Sequence, residues 1–401
     1  MDIKIYPSIA KGAIYAPSSK SYAHRLMICA SLAKGNSVID NIGTNDDILA
    51  TISCLRELGA RIDINGTKAT VKGIEKNKKN SETELFCNES GSTLRFLIPI
   101  SLLFFEKTYF SGKGKLMERP QSVYEKLFEE SGCYLEKLDN RYVGGGELKS
   151  GVFKIPGNVS SQFITGLLFV LPLLNGDSEI VLTSPLESAP YVDITIDALL
   201  KFGVEIKKTQ TGFFVKGYQQ YVPCNISVEG DWSNAAFLDA FNLIGGDVAV
   251  KGLDYGSLQG DKIYRGFYTR IKDEVPELDI TDCPDLGPVL IALASINNGA
   301  VLTGTKRLKI KESDRGLAMK TELKKFGVPI EINENNIVIP KTILKAPEEP
   351  LCCHNDHRIA MSLAVICSKT GGYLTEADCV KKSYPEFFDD IKKLGIKYEI
   401  L

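Results

Sequence analysis

Hydrophobic and polar positions along this chain follow a recurring order. An apolar helical stretch ends in a polar or glycine-containing turn, and a β-rich segment follows. Ala33-Lys34-Gly35-Asn36-Ser37-Val38-Ile39 is the first instance. Matching turn positions fall at Gly35, Glu106, Gly176, Gly246, Gly299 and Gly371, at steps of 71, 70, 70, 53 and 72 residues. A second signal runs in phase with it: an amphipathic helix ends in glycine and a strand begins. Its instances are Leu58-Gly59-Ala60, Ser131-Gly132-Cys133, Phe202-Gly203-Val204, Phe326-Gly327-Val328 and Leu394-Gly395-Ile396. Each glycine suits a helix C-cap, where the backbone turns left-handed. Two signals in phase predict six repeated βαβαββ-like units. The fourth is altered between about Asp254 and Ile280, where one signal is missing and the spacing is short. Hairpins close several units; the one over Ala60 to Lys72 turns at Asn65-Gly66.

Six units group as two α/β domains of three. The expected domains are 13–228, and 1–12 joined to 229–401. The N-terminal strand, Met1 to Ile5, is expected to pair with the far half and not to serve as a secretory leader. Leu344 to Pro350 reads as a loop inside the second domain, and Gly144-Gly145-Gly146 as a hairpin turn. At 401 residues the chain is long enough to bury two good-sized cores.

Composition narrows the class. With 48 basic and 50 acidic residues the net charge is −2, which disfavours a dedicated nucleic-acid or anionic-membrane binder. Ten cysteines are scattered without a C-x-x-C pair and read as small core residues of a reducing, cytoplasmic compartment. The longest apolar run, Phe163 to Leu174, contains Pro172 and is too short to span a bilayer. The three histidines are not at zinc-ligand spacing, and there is no P-loop, G-x-G-x-x-G or G-x-S-x-G. No metal or cofactor is expected.

Chemistry concentrates where the first helix of each unit begins. In Pro17-Ser18-Ser19-Lys20-Ser21-Tyr22-Ala23-His24-Arg25, Pro and Ser are helix-start signals. A helix N-terminus offers unpaired N–H groups and the positive end of a dipole, so Lys20, Ser21 and Arg25 make it suitable for an anion. Equivalent starts are Glu89-Ser90-Gly91-Ser92-Thr93-Leu94-Arg95, Ser160-Ser161-Gln162, Asp231-Trp232-Ser233-Asn234, Cys283-Pro284-Asp285 and Asn355-Asp356-His357-Arg358. Polar segments also follow strands: Glu118-Arg119-Pro120, Lys311-Glu312-Ser313-Asp314-Arg315 and Lys381-Lys382-Ser383. Taken singly, each basic residue reads more readily as a solvated surface charge than as a ligand contact. Together, Lys20, Arg25, Arg95, Arg119, Lys311, Arg315, Arg358 and Lys382 favour a polyanionic small ligand, with Arg able to grip phosphate or carboxylate by two hydrogen bonds. Lys311 and Arg315 are expected one helical turn apart. Asp285 and Glu312 are the acid–base candidates. Asp285 can equally be a helix cap, and for Glu312 neighbouring cations and burial act in opposite directions.

These motifs, in order and over essentially the whole chain, resemble the EPSP synthase family. The resemblance implies two domains of three units with an active site in the inter-domain cleft. It implies transfer of the enolpyruvyl group of phosphoenolpyruvate to the 5-hydroxyl of shikimate 3-phosphate, releasing phosphate, in the shikimate pathway to chorismate and aromatic amino acids. It assigns shikimate 3-phosphate to Lys20, Ser21, Arg25, Ser160, Ser161, Gln162, Ser188, Tyr191, Asp285 and Lys311. It assigns phosphoenolpyruvate to Lys20, Gly91, Arg119, Gln162, Arg315, Arg358 and Lys382. By the same resemblance Asp285 takes the proton of the 5-hydroxyl, and Glu312 with Lys20 delivers one to the methylene carbon. A monomer is expected. Glu89, Phe96 and Arg307 depart from the family pattern, where Asn, Pro and Asn are common. The alternatives are UDP-N-acetylglucosamine enolpyruvyl transferase and a non-catalytic phosphometabolite-binding protein. The first typically carries a reactive Cys that the loop around Lys113 to Pro120 lacks, and the second gains nothing from Asp285 and Glu312.

Overall fold

A computed structural model describes residues 1–75 and 79–401. The chain divides into two compact units, Ser18–Glu229 and Met1–Pro17 with Gly230–Leu401, each with its own apolar core. The expected break after residue 12 falls inside the strand Lys11–Tyr15. That strand pairs in parallel with Asp247–Lys251, so it stays with the later half, and the division comes at Pro17.

The repeat is visible as a repeated sheet. In Ser18–Glu229 the first sheet orders Asn225–Ser227, Asn36–Asp40, Lys68–Lys72 and Arg61–Asn65. The first two strands are parallel, and an antiparallel hairpin completes the sheet. Asn80–Phe86, Phe105–Ser111, Arg141–Gly146 and Cys133–Leu138 repeat that order, as do Val152–Ile155, Ser178–Leu182, Gly212–Val215 and Ile206–Lys208. Alternation sets the register: Ile62 and Val71 face each other across the first hairpin and both are buried.

The other unit repeats the order in Glu277–Asp279, Gly299–Thr303, Asn336–Pro340 and Glu331–Ile332. Its last sheet is Leu351–Cys352, Gly372–Thr375, Ile3–Tyr6 and Lys397–Ile400, so the N-terminal strand does join the far half. The altered fourth unit keeps only the pair Lys11–Tyr15 and Asp247–Lys251 among the described residues. In place of a hairpin it has the helix Tyr264–Asp273. The Tyr264 hydroxyl donates to Asp239, and the Arg265 guanidinium lies 5.1 Å from the Trp232 ring centroid.

Helix ends follow the sequence signals. Gly59, Gly132, Gly203, Gly327 and Gly395 have φ of 111°, 73°, 76°, 86° and 97°, all left-handed. Ser19, Ser90, Ser160, Asp231 and Asp356 each cap a helix with a side-chain oxygen. The helices Lys20–Leu32, Ser161–Val170, Gly287–Ile296 and His357–Thr370 are buried over most of their circumference, so their polar starts are fixed by packing behind them.

Gly144-Gly145-Gly146 is not a turn. The three lie in the strand Arg141–Gly146, and the chain reverses at Asp139-Asn140, where Asp139 has φ 52°. The glycines serve close packing: a Cβ on Gly145 would sit 2.5 Å from the Glu106 carbonyl oxygen. Every cysteine is a free thiol, and all but Cys224 and Cys352 are buried. Among the described residues no helix is long and apolar enough to cross a membrane.

Candidate active site

In Ser18–Glu229 the start of the first helix is built around a buried cation. Arg25 is 3% exposed. Its Nε donates to Thr195 Oγ1 at 2.8 Å, Nη1 to the Ser21 carbonyl at 2.7 Å and Nη2 to the Tyr191 carbonyl at 2.8 Å. The Phe96 ring lies 5.2 Å away. All these partners are neutral, and burial pushes the Arg25 pKa down to about 10. A desolvated cation held by neutral oxygens gains from an anion brought alongside it. Phe96, one of the departures from the family pattern, therefore backs the arginine. Tyr191 is half-buried and follows Ser188, which holds φ 57° before the helix Ala189–Lys201.

Lys20 is the first residue of the helix Lys20–Leu32, and its Nζ donates to Asp47 Oδ2 at 2.8 Å. Asp47 was not among the sequence candidates. Its only signal is the acidic start Asn45-Asp46-Asp47 of the helix Asp46–Glu57. One turn on, His24 is buried, with Nδ1 2.8 Å from Thr51 Oγ1. Thr51 Oγ1 is 2.6 Å from Thr93 Oγ1, which donates to Ser90 Oγ at 2.8 Å. This buried chain ties the Lys20 helix to the cap beside Gly91.

Gly91, Arg119 and Gln162 converge. A Cβ on Gly91 would lie 2.8 Å from Arg119 Nη1 and 3.6 Å from Gln162 Oε1, so a side chain here would push the Arg119 guanidinium back. Gln162 Nε2 donates to Ser92 Oγ at 2.9 Å, and its Oε1 accepts from Arg95 Nη1 at 2.8 Å. Arg95 also donates to Gln121 Oε1 and the Pro120 carbonyl, both at 3.3 Å, so it braces the loop that carries Arg119. Ser160 caps the helix Ser161–Val170 through the Gln162 N–H at 3.3 Å, and Ser161 is buried beside it.

The other unit gathers the carboxylates. Asp285 Oδ1 accepts from Lys311 Nζ at 3.2 Å and Arg315 Nη1 at 2.8 Å, and Oδ2 accepts from Arg358 Nη2 at 2.9 Å. The carboxylate therefore faces three cations. Lys311 and Arg315 do not share a helical turn. Lys311 is extended after the 3₁₀ turn Lys306–Ile310, and Arg315 opens the next helix, capped by Asp314. They meet through Asp285.

Arg315 is 1% exposed and donates to Glu312 Oε2 at 2.7 Å and to Asp356 Oδ2 at 2.9 Å. Burial works against its charge, but Asp356, Glu312 and Asp285 outweigh it and hold the guanidinium firmly protonated. Burial lowers the Lys311 pKa; Asp285 opposes this, and Arg315 and Arg307 add to it. Arg307 is buried, with Nη2 donating to the Thr281 carbonyl at 2.7 Å. Lys382 Nζ donates to the Asn355 carbonyl at 2.6 Å and so reaches this network through the Cys353–Asp356 turn. In the sequence Asp356 stands out only as part of the Asn355-Asp356-His357-Arg358 motif; it caps the helix His357–Thr370 and also holds Arg315 and Ser313. Among the described residues no group of His, Cys, Asp or Glu is set to hold a metal ion.

The family model for EPSP synthase (3-phosphoshikimate 1-carboxyvinyltransferase) matches residues 6–391. A 3-phosphoshikimate 1-carboxyvinyltransferase of Clostridium perfringens is 43% identical over 416 residues, covering 98% of this chain and 97% of that protein. One of Clostridium kluyveri is 41% identical with the same coverage. The solved EPSP synthase of Acinetobacter baumannii shares the fold, at TM-score 0.79 and 22% identity over 99% of each chain. The chain thus belongs to the EPSP synthase (3-phosphoshikimate 1-carboxyvinyltransferase) family.

Proposed function

We infer that this protein transfers the enolpyruvyl group of phosphoenolpyruvate to the 5-hydroxyl of shikimate 3-phosphate, the reaction its family relatives are named for. Shikimate 3-phosphate is assigned to Lys20, Ser21, Arg25, Ser160, Ser161, Gln162, Ser188 and Tyr191, with Asp285 and Lys311. The neutral environment of Arg25 supports a phosphate there. Phosphoenolpyruvate is assigned to Lys20, Gly91, Arg119, Gln162, Arg315, Arg358 and Lys382. The close approach of Arg119 to Gly91 supports that set.

The observation that carries the reading is Asp285, whose two oxygens meet Lys311, Arg315 and Arg358. Asp285 accepts the 5-hydroxyl proton as the oxygen bonds to the central carbon of phosphoenolpyruvate. Glu312 with Lys20 protonates the methylene carbon. Loss of phosphate and of one methyl proton restores the double bond, so atoms balance. The free thiols suit a reducing cytoplasm, and the enzyme acts as a monomer.

The test is phosphate release from phosphoenolpyruvate, with shikimate 3-phosphate or UDP-N-acetylglucosamine as acceptor in parallel. Release with shikimate 3-phosphate alone is expected; release only with the nucleotide sugar reassigns the acceptor, and release with neither removes the enzyme reading. Asp285→Asn is expected to lower kcat by about 10²–10⁴-fold. Unchanged turnover in that variant removes Asp285 as the base.

A further inference from the structure

Glu322 lies two turns beyond Arg315 on the helix Arg315–Lys325. Its carboxylate is 1% exposed. Oε2 accepts from Lys325 Nζ at 2.8 Å and from the Cys352 backbone N–H at 3.0 Å, and Oε1 lies 2.9 Å from His354 Nε2. Burial raises the Glu322 pKa, but the bonds to His354, Lys325 and Cys352 outweigh it, so the acceptor stays charged. Two of its three partners belong to the segment that enters the Cys353–Asp356 turn.

That turn is strained. His354 and Asn355 both hold left-handed backbone, at φ 53° and 50°. Two consecutive non-glycine residues in that region persist only where their surroundings hold them. The turn also places the cations. The Asn355 carbonyl takes Lys382 Nζ at 2.6 Å. Asp356 takes Arg315 Nε at 2.9 Å and caps the helix of Arg358 through its N–H at 2.9 Å.

We propose that Glu322 is a positioning residue for Arg315, Arg358 and Lys382: by fastening the Cys352–His354 segment it keeps the left-handed turn in the one conformation that presents Asn355 and Asp356 to these cations. The proposal rests on the assignment of those cations to phosphoenolpyruvate. Loss of Glu322 therefore acts first on phosphoenolpyruvate, and only a smaller effect reaches shikimate 3-phosphate through Asp285, which Arg315 and Arg358 also hold.

The experiment measures KM for each substrate and kcat in wild type, Glu322→Gln and Glu322→Ala, with melting temperatures as a check on folding. Glu322→Gln keeps one acceptor oxygen and is expected to raise KM for phosphoenolpyruvate about threefold, and Glu322→Ala about tenfold or more, since an uncompensated buried partner is lost. KM for shikimate 3-phosphate is expected to stay within about twofold in both. If Glu322→Ala does not fold, the split in Glu322→Gln decides. An unchanged KM for phosphoenolpyruvate, or equal rises in both KM values, overturns the positioning role. A wild type that transfers nothing overturns the function and is seen in the same assay.

Discussion

At the scale of single residues, neighbouring side chains on one buried helix meet different fates. Arg25 keeps its charge because three oxygens accept from it. His24, one residue earlier, stays neutral: burial lowers its pKa well below the ordinary 6.5, and Lys20 and Arg25 add to that. This has a signed consequence for stability. Above about pH 6.5 His24 is neutral in both the folded and unfolded chain and adds no pH dependence. Below that value the unfolded chain binds a proton that the folded chain refuses. Stability therefore falls with falling pH, by up to about 1.4 kcal/mol per pH unit from this residue. His24→Asn places an amide near the Nδ1 position and removes the titration. Urea midpoints from pH 7 to pH 5 are expected to fall more steeply for wild type than for the variant. Parallel slopes mean that His24 protonates inside the folded protein.

At the scale of elements, two helix starts look alike in sequence and differ in what they hold. Asp314 caps the helix Arg315–Lys325 through the Leu317 N–H at 3.0 Å. Asp356 caps His357–Thr370 in the same way and also pairs with Arg315 at 2.9 Å. Asp314→Ala is expected to cost about 1 kcal/mol, the usual loss of a cap. Asp356→Ala strands a buried guanidinium partner as well and is expected to cost about 3–5 kcal/mol. Thermal unfolding of the two variants checks the difference, and equal losses would show that Arg315 draws nothing from Asp356. Caps are legible in sequence because Ser, Asp and Gly act within one turn of themselves; this made the helix ends at Ser19, Gly59 and Gly395 readable. Pairings are not local. Asp285 and Arg358 are 73 residues apart, and nothing in either motif announces the other. The Gly144-Gly145-Gly146 strand was misread for a related reason. Its glycines answer to the strands on both sides, Phe105–Ser111 and Cys133–Leu138, which local turn statistics do not see.

At the scale of the whole molecule, the two units close their sheets by different routes. Ser18–Glu229 is continuous. Its last strand, Asn225–Ser227, returns to pair with Asn36–Asp40, so every strand of its three sheets comes from within it. Gly230–Leu401 is not self-sufficient. Ile3–Tyr6 is an interior strand of its last sheet, with Ile3 0% and Ile5 1% exposed, and Lys11–Tyr15 is the parallel partner of Asp247–Lys251. Removing those strands uncovers an edge on Gly372–Thr375, Lys397–Ile400 and Asp247–Lys251 and opens an apolar core, a loss larger than the margin by which domains are stable. A fragment of residues 18–229 is therefore expected to fold alone, with a cooperative urea transition and native-like circular dichroism. A fragment of residues 230–401 is expected not to. The Leu401 N–H donates to the Asp2 carbonyl at 3.0 Å, so the two ends meet in the fold. Joining residues 1–17 after Leu401 through a short glycine–serine linker is expected to restore the transition, because the added strands reach their places with a small loop-closure cost. A fragment 230–401 that folds unaided would mean that the N-terminal strands decorate this unit; a joined chain that stays unfolded would mean that its stability depends on Ser18–Glu229.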